Sequence, residues 1–540
     1  MPQPRARFVV WCFCLLLTVY SSVTLNAQIA DDEAALLLAQ NRISIQTLTV
    51  FFAAYRRTAN LDTEKRAQID KIVADLRAAQ QSGKFGETRR QLFKGFALMR
   101  GKPWTAKEEF AASLVLRPNS AIFDSNRPQL LSLGQVFPAQ YNYQATPKLR
   151  ITVAENSTQR RELSSPGKIV KEIGTYEGLS SDLADEPFAF EADLRGVKDG
   201  FYLLCAELMD GDATIRKIWT TVSVVQNLDS LKADIERRLS HIKNGSESTK
   251  ASIRYPFEWA RQINLGRREM PRGDFASEID RSTKLLDSLE KGKDLLYQAI
   301  GDNKRHYYFA EANEIMPYRL YVPSNYDGRK KFPLIVALHG LGGTEDTFLN
   351  RYNGLMKKLA EENGYILIAP LGYRINGGYG RQTRNPPDSQ RRRILDLSEK
   401  DVMNVVRKMR EEYKIDDKRL FLMGHSMGGT GTWTLGAKYA EMWAALAPIA
   451  PGYIPDEDVS DLSRLKEMPI LISHGSKDTT APPELSRRTV AELKKLNINP
   501  EFLEIPDADH ETIVPTILPK IFEFFNRQKK PEKIANTSAV

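Results

Sequence analysis

The hexapeptide GHSMGG at residues 424–429 decides how the rest of the chain is interpreted. It follows a short apolar run at residues 420–423 and precedes a helical stretch that contains Trp433. A serine with glycine two residues before it and two residues after it is typical of a nucleophile elbow, because bulkier neighbours would clash where the backbone turns sharply from strand to helix. We therefore expect the hydroxyl of Ser426 to lie exposed above the end of a buried strand.

A serine hydroxyl is a weak nucleophile until a base takes its proton, and an acid must in turn orient that base. In α/β-hydrolases, whose nucleophile elbow this hexapeptide resembles, the acid follows the serine in the chain and the histidine follows the acid. Of the six histidines, His510 is the one that lies far enough along the chain. Asp478 follows the buried run at residues 470–473, whereas Asp507 and Asp509 are too close to His510 in sequence to accept a hydrogen bond from its ring. The predicted triad is the elbow serine with Asp478 and His510.

Attack on an acyl carbonyl creates an oxyanion, which backbone N–H groups must stabilise. The N–H of Met427, directly after the nucleophile, is one expected donor. The second is expected from the segment HGLGG at residues 339–343, whose glycines let the backbone approach a ligand closely. We predict the N–H of Leu341, with Gly340 and Gly342 as alternatives.

Short apolar runs alternate with helical stretches throughout the C-terminal part of the chain. This alternation predicts a parallel sheet that is covered by helices on both faces, with the chemistry at the carboxyl ends of its strands. The expected α/β domain covers residues 304–528. Its predicted strands are at residues 334–338, 365–369, 420–423, 444–449, 470–473 and 502–505.

Taken together, these motifs resemble the α/β-hydrolase superfamily. Residues 338–343, 424–429, 474–482 and 509–510 are similar to polyhydroxybutyrate-depolymerase-like and feruloyl- or acetylxylan-type esterases, a branch that borders the prolyl-oligopeptidase catalytic domain. The resemblance covers the C-terminal part of the chain only. It implies a metal-free serine hydrolase of α/β-hydrolase fold that acts through an acyl-enzyme.

The region before this domain has three successive patterns. Residues 28–118 have apolar residues at helical spacing and predict an α-helical domain. Residues 119–227 change to alternating, β-prone runs and predict a small immunoglobulin-like β-sandwich. Residues 228–303 return to charged helical sequence and predict a helical connector. The predicted fold class is therefore an α/β-hydrolase domain preceded by an α-helical region and a β-sandwich.

The two ends of the chain predict segments outside these domains. Two arginines, an apolar run and small residues up to Ala27 have the layout of a secretory signal peptide at residues 1–27, with an uncleaved membrane anchor as the alternative. Cleavage would leave Cys205 as the one cysteine, so the exported protein would have no internal disulfide. Residues 529–540 predict a disordered tail. We therefore expect a secreted or periplasmic protein.

A basic segment at residues 371–400 departs from a minimal hydrolase domain and follows a predicted strand, so it begins at the active-site edge. We interpret it as a substrate-binding flap for anionic or aromatic groups, with Tyr373, Tyr379 and Arg381 as contacts. The alternative is a solvated surface loop.

The composition and charge of the chain limit the class of protein and the kinds of partner that we expect. The chain has 540 residues with 42% hydrophobic and 27% charged residues, which excludes a multi-span membrane protein and a mainly disordered chain. Its net charge of +9 is spread along the chain and gives no support for a nucleic-acid partner. No metal-ligand cluster, phosphate-binding loop or dinucleotide fingerprint appears, so we expect neither a cofactor nor a metal.

The sequence thus predicts an exported serine hydrolase of carboxylic esters, which acts on a small-molecule or polymer substrate. The first alternative is a serine peptidase of prolyl-oligopeptidase type, although the region before residue 304 shows no β-propeller pattern. The second is a binding protein whose hydrolase domain is a relic, with a glycan or protein bound by the N-terminal domains. All triad members are present, which argues against the relic.

Overall fold

A computed structural model describes residues 45–59, 61–120, 122–156, 166–265, 274–381, 388–452 and 462–531. The predicted signal peptide and residues 532–540 of the predicted tail lie outside these ranges. The chain divides into two compact units. Unit 1 comprises residues 1–241 and 256–286, and unit 2 comprises residues 242–255 and 287–540. The domain boundaries drawn from the sequence remain predictions.

Unit 1 begins with short helices whose apolar residues recur at helical spacing. In the second helix Ile69, Ile72 and Leu76 are buried on one face, and the side chain of Asp62 caps its first turn by accepting from the N–H of Lys65 at 2.8 Å. The helices are α1 (Ile45–Thr58), α2 (Thr63–Gln81), α3 (Phe85–Met99) and α4 (Ala106–Ser113).

Eight strands follow in unit 1 and form a three-stranded and a five-stranded sheet. Residues 114–118, which lie inside the segment predicted as helical, form the first strand and pair with the third. The run LVL at residues 114–116 is apolar and buried, contains a β-branched residue, and is followed closely by Pro118, which favours a strand over a continued helix. The immunoglobulin-like type of this β-region is not confirmed. The strands are β1 (Leu114–Pro118), β2 (Ile122–Phe123), β3 (Gln129–Gln135), β4 (Pro147–Asn156), β5 (Pro166–Glu177), β6 (Phe188–Ala192), β7 (Gly200–Asp210) and β8 (Ala213–Val224).

Three helices occupy most of the predicted connector. They are α5 (Leu228–His241), α6 (Glu247–Asn264) and α7 (Phe275–Glu290). The next strand already begins at Gly301, where the sequence pattern still predicted connector.

Unit 2 is built around an eight-stranded mixed sheet in the order β16-β15-β14-β13-β11-β12-β10-β9. Strands β11 to β16 run parallel, while β9 and β10 form an antiparallel edge that the sequence analysis did not predict. The strands are β9 (Gly301–Phe309), β10 (Glu314–Val322), β11 (Phe332–Leu338), β12 (Ile366–Pro370), β13 (Ile415–His425), β14 (Ala445–Ile449), β15 (Leu471–Gly475) and β16 (Glu501–Ile505). The predicted α/β architecture of the C-terminal region is confirmed.

Helices cover both faces of this sheet. Along β11, Leu334 and Val336 belong to one core cluster and Ile335 and Ala337 to another, so the strand has no polar face. That is why the strands appear in the sequence as continuous apolar runs. The helices are α8 (Thr347–Asn350), α9 (Leu355–Asn363), α10 (Ser389–Glu412), α11 (Met427–Lys438), α12 (Glu484–Lys495) and α13 (Ile513–Asn526).

Among the described residues, no helix combines the length and the apolar character that crossing a bilayer requires.

Candidate active site

The turn between β13 and α11 has the geometry of a nucleophile elbow. Ser426 lies there with φ 56° and ψ −114°, a strained combination for a residue with a side chain. Gly424 and Gly428, on either side of Ser426, are required because neither position has room for a side chain. A Cβ on Gly424 would lie 2.3 Å from the carbonyl oxygen of Gly428, and a Cβ on Gly428 would lie 2.0 Å from the carbonyl oxygen of Leu338. Strand and helix backbones therefore touch directly at this turn.

Asp478 and His510 are joined in a buried hydrogen bond. The Nδ1 of His510 lies 2.6 Å from the Oδ2 of Asp478, and both side chains are buried. The other carboxylate oxygen accepts from the backbone N–H groups of Thr480 and Ala481, each at 2.8 Å. Because Nδ1 donates to the carboxylate, the Nε2 of His510 is left as the basic nitrogen.

The two other acids near His510 are engaged elsewhere. Asp507 pairs with Lys477 at 2.6 Å. Asp509 caps the following turn, where its Oδ1 accepts from the N–H of Thr512 at 2.8 Å. Asp478, whose carboxylate lies within hydrogen-bond distance of the His510 ring, remains the proposed acid.

His474 contacts the same carboxylate oxygen of Asp478 as His510, a role that the sequence analysis missed. Its Nε2 lies 2.7 Å from the carbonyl oxygen of Ala481 and 3.2 Å from the Oδ2 of Asp478, and its Nδ1 lies 2.7 Å from the Oγ of Ser486. A carbonyl can only accept, so Nε2 carries the proton and Nδ1 accepts from the serine hydroxyl. His474 is a buried donor to Asp478.

The environment shifts the pKa of both members of the pair. Burial alone would raise the pKa of Asp478, but the facing His510 and the hydrogen bonds from His474 and Ala481 hold it well below its usual value. Burial alone would lower the pKa of His510, but the Asp478 carboxylate raises it above the usual value. The carboxylate therefore stays charged and favours the protonated imidazole.

His425 connects the elbow to the loop that carries His510. Its Nε2 lies 2.7 Å from the carbonyl oxygen of His510, and the two ring centroids are 4.7 Å apart. Burial and the nearby His510 lower the pKa of His425 well below its usual value, so it is neutral. The residue directly before Ser426 thus contacts His510, so the elbow lies beside the loop that carries His510.

The backbone segment 339–343 lies beside the elbow. A Cβ added at Gly340 would lie 3.4 Å from the Cβ of Ser426. The N–H of Gly342 donates to the carbonyl oxygen of Ile375 at 2.9 Å, so it is engaged away from a substrate. Of the predicted donors on this segment, Leu341 and Gly340 remain. Met427 is the first residue of α11.

The three predicted substrate contacts, Tyr373, Tyr379 and Arg381, differ in how deeply they are buried. Tyr379 is fully buried, and its hydroxyl donates to the carbonyl oxygen of His339 at 3.1 Å. Tyr373 is also buried, with Arg374 stacked over its ring at 3.8 Å. A direct substrate contact by either tyrosine is not supported by this packing. Arg381 is half-buried at the end of the same loop.

A second buried ion pair lies next to His510 and was also missed. The Nη1 of Arg351 lies 3.0 Å from the Oε2 of Glu511, and both side chains are mostly buried. Burial raises the pKa of Glu511 while Arg351 opposes that rise. No sequence signal links these residues, because they are 160 positions apart.

Within the described part of the chain, no group of three or more His, Cys, Asp or Glu side chains is arranged to hold a metal ion.

Comparison with known proteins points to the same region. Residues 310–497 match the model of the Esterase family, described as "Putative esterase". The chain is 29% identical over 163 residues to the bifunctional acetylxylan esterase/xylanase XynS20E of Neocallimastix patriciarum, across 29% of this chain and 21% of that protein. It is 32% identical over 184 residues to Cutinase 2 of Thermobifida cellulosilytica, across 31% of this chain and 65% of that protein.

Among solved structures, a CE1 ferulic acid esterase from Anaeromyces mucronatus matches with a TM-score of 0.35 and 19% identity, across 42% of this chain and 90% of that chain. The chain spans between about a fifth and two thirds of the length of the two curated relatives named above.

Proposed function

We propose that this protein, whose residues 310–497 match the model of the Esterase family, is an exported serine hydrolase that cleaves carboxylic esters through an acyl-enzyme. The observation that carries the proposal is the buried bond of 2.6 Å between His510 and Asp478, held beside the strained elbow of Ser426 by His425. An acid, a base and a nucleophile in this arrangement are the parts that acyl transfer requires.

The first half of the reaction transfers the acyl group to the enzyme. The Oγ of Ser426 attacks the acyl carbon while the Nε2 of His510 takes the hydroxyl proton. The charged imidazole is stabilised by Asp478, which remains ionised. When the tetrahedral intermediate collapses, His510 returns the proton to the departing alkoxide, and the alcohol leaves.

Water completes the cycle by the same steps in reverse. His510 takes a proton from water, the hydroxide attacks the acyl-enzyme, and the serine oxygen leaves with the proton that His510 returns. The released product is the carboxylic acid. In both halves we assign the oxyanion to the N–H groups of Met427 and Leu341, with Gly340 as the alternative to Leu341.

The substrate is an ester of a small molecule or of a polymer. Two relatives are an acetylxylan esterase and a cutinase, which supports hydrolysis of an ester bond. We propose Arg381 as a contact for an anionic or aromatic substituent, because it is half-buried and follows the loop that packs against segment 339–343.

The N-terminal part of the chain is proposed to be a binding module. Two sheets of antiparallel character and a short helical region are compatible with an immunoglobulin-like β-sandwich that binds a glycan or a protein. Binding of the Ser426→Ala protein to a glycan array tests this proposal. If the protein binds no glycan on the array, the assignment of a glycan as the ligand is wrong.

Export through a signal peptide at residues 1–27 is tested by the N-terminal sequence of the protein recovered after secretion.

Activity on short-chain p-nitrophenyl esters is the direct test. We expect hydrolysis by the protein from residue 28 onward, loss of about 10⁶-fold in kcat in Ser426→Ala, and unchanged kcat in Ser324→Ala. Ser324 is an exposed serine of the same unit that contacts Glu361, so it controls for the loss of a hydroxyl as such.

Two other outcomes would replace the proposal. If all three proteins are inert on esters but a proline-containing chromogenic peptide is cleaved, the peptidase alternative is correct. If neither substrate is cleaved and a serine-reactive phosphonate labels neither the parent protein nor Ser426→Ala, the hydrolase domain is a relic.

A further inference from the structure

The Tyr379 side chain, predicted as a substrate contact, lies between the two backbone segments that form the proposed active site. It has no exposed surface and adopts a positive φ of 53°. Its backbone N–H donates to the Oγ of Ser398 at 3.0 Å. A fully buried tyrosine in a left-handed backbone conformation is strained, so the surrounding packing must hold it there.

The ring of Tyr379 occupies a space that two glycines leave open. A Cβ on Gly431, in the helix that follows the nucleophile, would lie 2.6 Å from the ring, and a Cβ on Gly372 would lie 2.5 Å from it. The ring is therefore wedged between α11 and its own loop. This packing fixes where the phenol oxygen lies.

The phenol hydroxyl reaches the segment that carries the proposed oxyanion donors. It donates to the carbonyl oxygen of His339 at 3.1 Å. The same carbonyl oxygen would lie 2.7 Å from a Cβ on Gly428, so it is confined between Tyr379 and the first turn of α11. Burial raises the pKa of Tyr379 well above its usual value, so the hydroxyl keeps its proton and remains a donor.

A held carbonyl also fixes the direction of the next N–H group. The peptide between His339 and Gly340 is planar and trans, so its N–H points away from its C=O. The following peptide is held as well, because the carbonyl oxygen of Gly340 accepts from the N–H of Gly343 at 3.0 Å and lies 2.7 Å from the Nδ1 of His339. The orientations of the Gly340 and Leu341 N–H groups are both determined by these contacts.

We propose that Tyr379 is a positioning residue for the oxyanion site, which it preorganises by holding the peptide plane between His339 and Gly340. This inference rests on the proposed ester hydrolysis. Preorganised donors stabilise a transition state without reorganisation, so loss of the hydroxyl affects the chemical step more than substrate binding.

The test compares two tyrosine variants. Tyr379→Phe keeps the ring between Gly372 and Gly431 and removes only the donor. Tyr365→Phe is the matched control, because Tyr365 is buried in the same unit and its hydroxyl donates to Asn526 at 2.8 Å, before the first residue of β12 and away from the carboxyl ends of the strands. We expect kcat to fall about tenfold in Tyr379→Phe, with KM within about twofold, and both to be unchanged in Tyr365→Phe.

A second readout does not depend on activity. Hydrogen–deuterium exchange of peptides that cover residues 338–344 is expected to be faster in Tyr379→Phe than in the parent protein, and unchanged in Tyr365→Phe. Ser398→Ala, which removes the acceptor of the Tyr379 N–H, is expected to change kcat and exchange in the same direction by a smaller factor, and it serves where Tyr379→Phe does not fold.

The outcomes separate the two proposals. A parent protein that is inert on esters refutes the proposed function, and the exchange comparison still decides whether Tyr379 holds the segment. Unchanged exchange and unchanged kcat in the folded variants would overturn the inference. Equal losses of kcat in Tyr379→Phe and Tyr365→Phe would reduce Tyr379 to a residue of general stability.

Discussion

The elbow at residues 424–428 and the loop at residues 371–381 both pack against the end of β11 and the segment that follows it, but they do so with different groups. At the elbow, backbone meets backbone, and the position of a Cβ on Gly428 lies 2.0 Å from the carbonyl oxygen of Leu338. In the loop, a side chain makes the contact, through the hydroxyl of Tyr379. The contact at the elbow depends on glycines at fixed positions around Ser426, where a side chain would clash. The contact of the loop depends on one particular side chain, that of Tyr379, which is distant in sequence from the segment that it contacts.

The basic residues in and beside this loop also make their contacts through side chains, with particular partners within the fold. Arg374 is paired with Glu314 at 2.8 Å and stacked over Tyr373. Arg391 donates to the carbonyl oxygen of Asn376 at 2.7 Å. Two of the basic residues that suggested an anion-binding flap therefore stabilise the loop itself. A cluster of like charges in a sequence gives no indication of which members are already paired within the fold.

Substitution of Gly428 at the elbow is expected to have the largest effect, which is on the stability of the C-terminal unit. Gly428→Ala places a methyl group within overlap distance of the backbone of β11, which cannot move without displacing a buried strand. We expect loss of the folded C-terminal unit, measured as failure to recover monodisperse protein or as a fall in melting temperature of more than about 10 °C.

Gly328→Ala is the matched control for that experiment. Gly328 has a positive φ of 71°, which Gly428 does not share, but nothing lies within 4 Å of the added methyl group. Its expected cost is about 1 kcal/mol, from backbone strain alone. An effect at Gly428 as small as the one at Gly328 would show that the elbow tolerates a side chain and would refute the argument from space.

Substitution of Asp478, the proposed acid, is expected to have the next largest effect, on kcat. Asp478→Asn removes the charge that orients His510 and stabilises its protonated form, so kcat is expected to fall about 10³- to 10⁴-fold. Asp507→Asn is the control, because its carboxylate is exposed and pairs with Lys477. A loss of comparable size in Asp507→Asn would transfer the role of the acid to the segment beside His510.

The pH dependence of the reaction follows from His510. The base must be neutral to accept a proton, so kcat/KM is expected to rise with pH through the pKa of His510. Because Asp478 raises that pKa, the midpoint is expected above 6.5 in the parent protein and lower in Asp478→Asn. Rate profiles of the two proteins with a p-nitrophenyl ester measure this, and a midpoint that does not move would exclude Asp478 as the partner of the base.

Arg381 is expected to have the smallest effect. If it contacts an anionic or aromatic substituent, Arg381→Gln with Arg384→Gln raises KM about threefold for esters that carry such a group and leaves KM for a plain acetyl ester unchanged. Arg527→Gln, an exposed arginine beside Glu501, is the charge control. Unchanged KM for all substrates would support the alternative of a solvated surface loop.

Sequence reasoning reached the parts of the site that depend on local geometry. GHSMGG at residues 424–429 predicts its own turn, because the clashes that exclude side chains occur between neighbours in the chain. Chain order and strand context then led to Asp478 and His510, which the structure brings to 2.6 Å. The same reasoning did not find His474 or the pairing of Arg351 with Glu511, since these depend on which distant residues become neighbours in the fold.

The strands of the C-terminal unit also show that the sequence predicts local patterns but not which distant residues become neighbours. The continuous apolar runs predict a sheet buried on both faces, which the two core clusters confirm. The antiparallel edge formed by Gly301–Phe309 and Glu314–Val322 was not predicted, although the second strand is almost wholly buried. Its charged and polar residues, such as Arg319 paired with Asp346 at 2.6 Å, interrupt the apolar pattern and are satisfied only by partners elsewhere in the unit.

By itself, the sequence determined the α/β architecture of the C-terminal region and the elbow with its two predicted partners, because hydrophobic periodicity and glycine spacing are properties of neighbouring residues. The tertiary structure alone decided that Tyr379 is buried and holds the carbonyl of His339, and that His425 contacts His510. Those contacts join residues 40 and 85 positions apart. Their existence depends on the packing of the whole unit, which no local pattern of residues specifies.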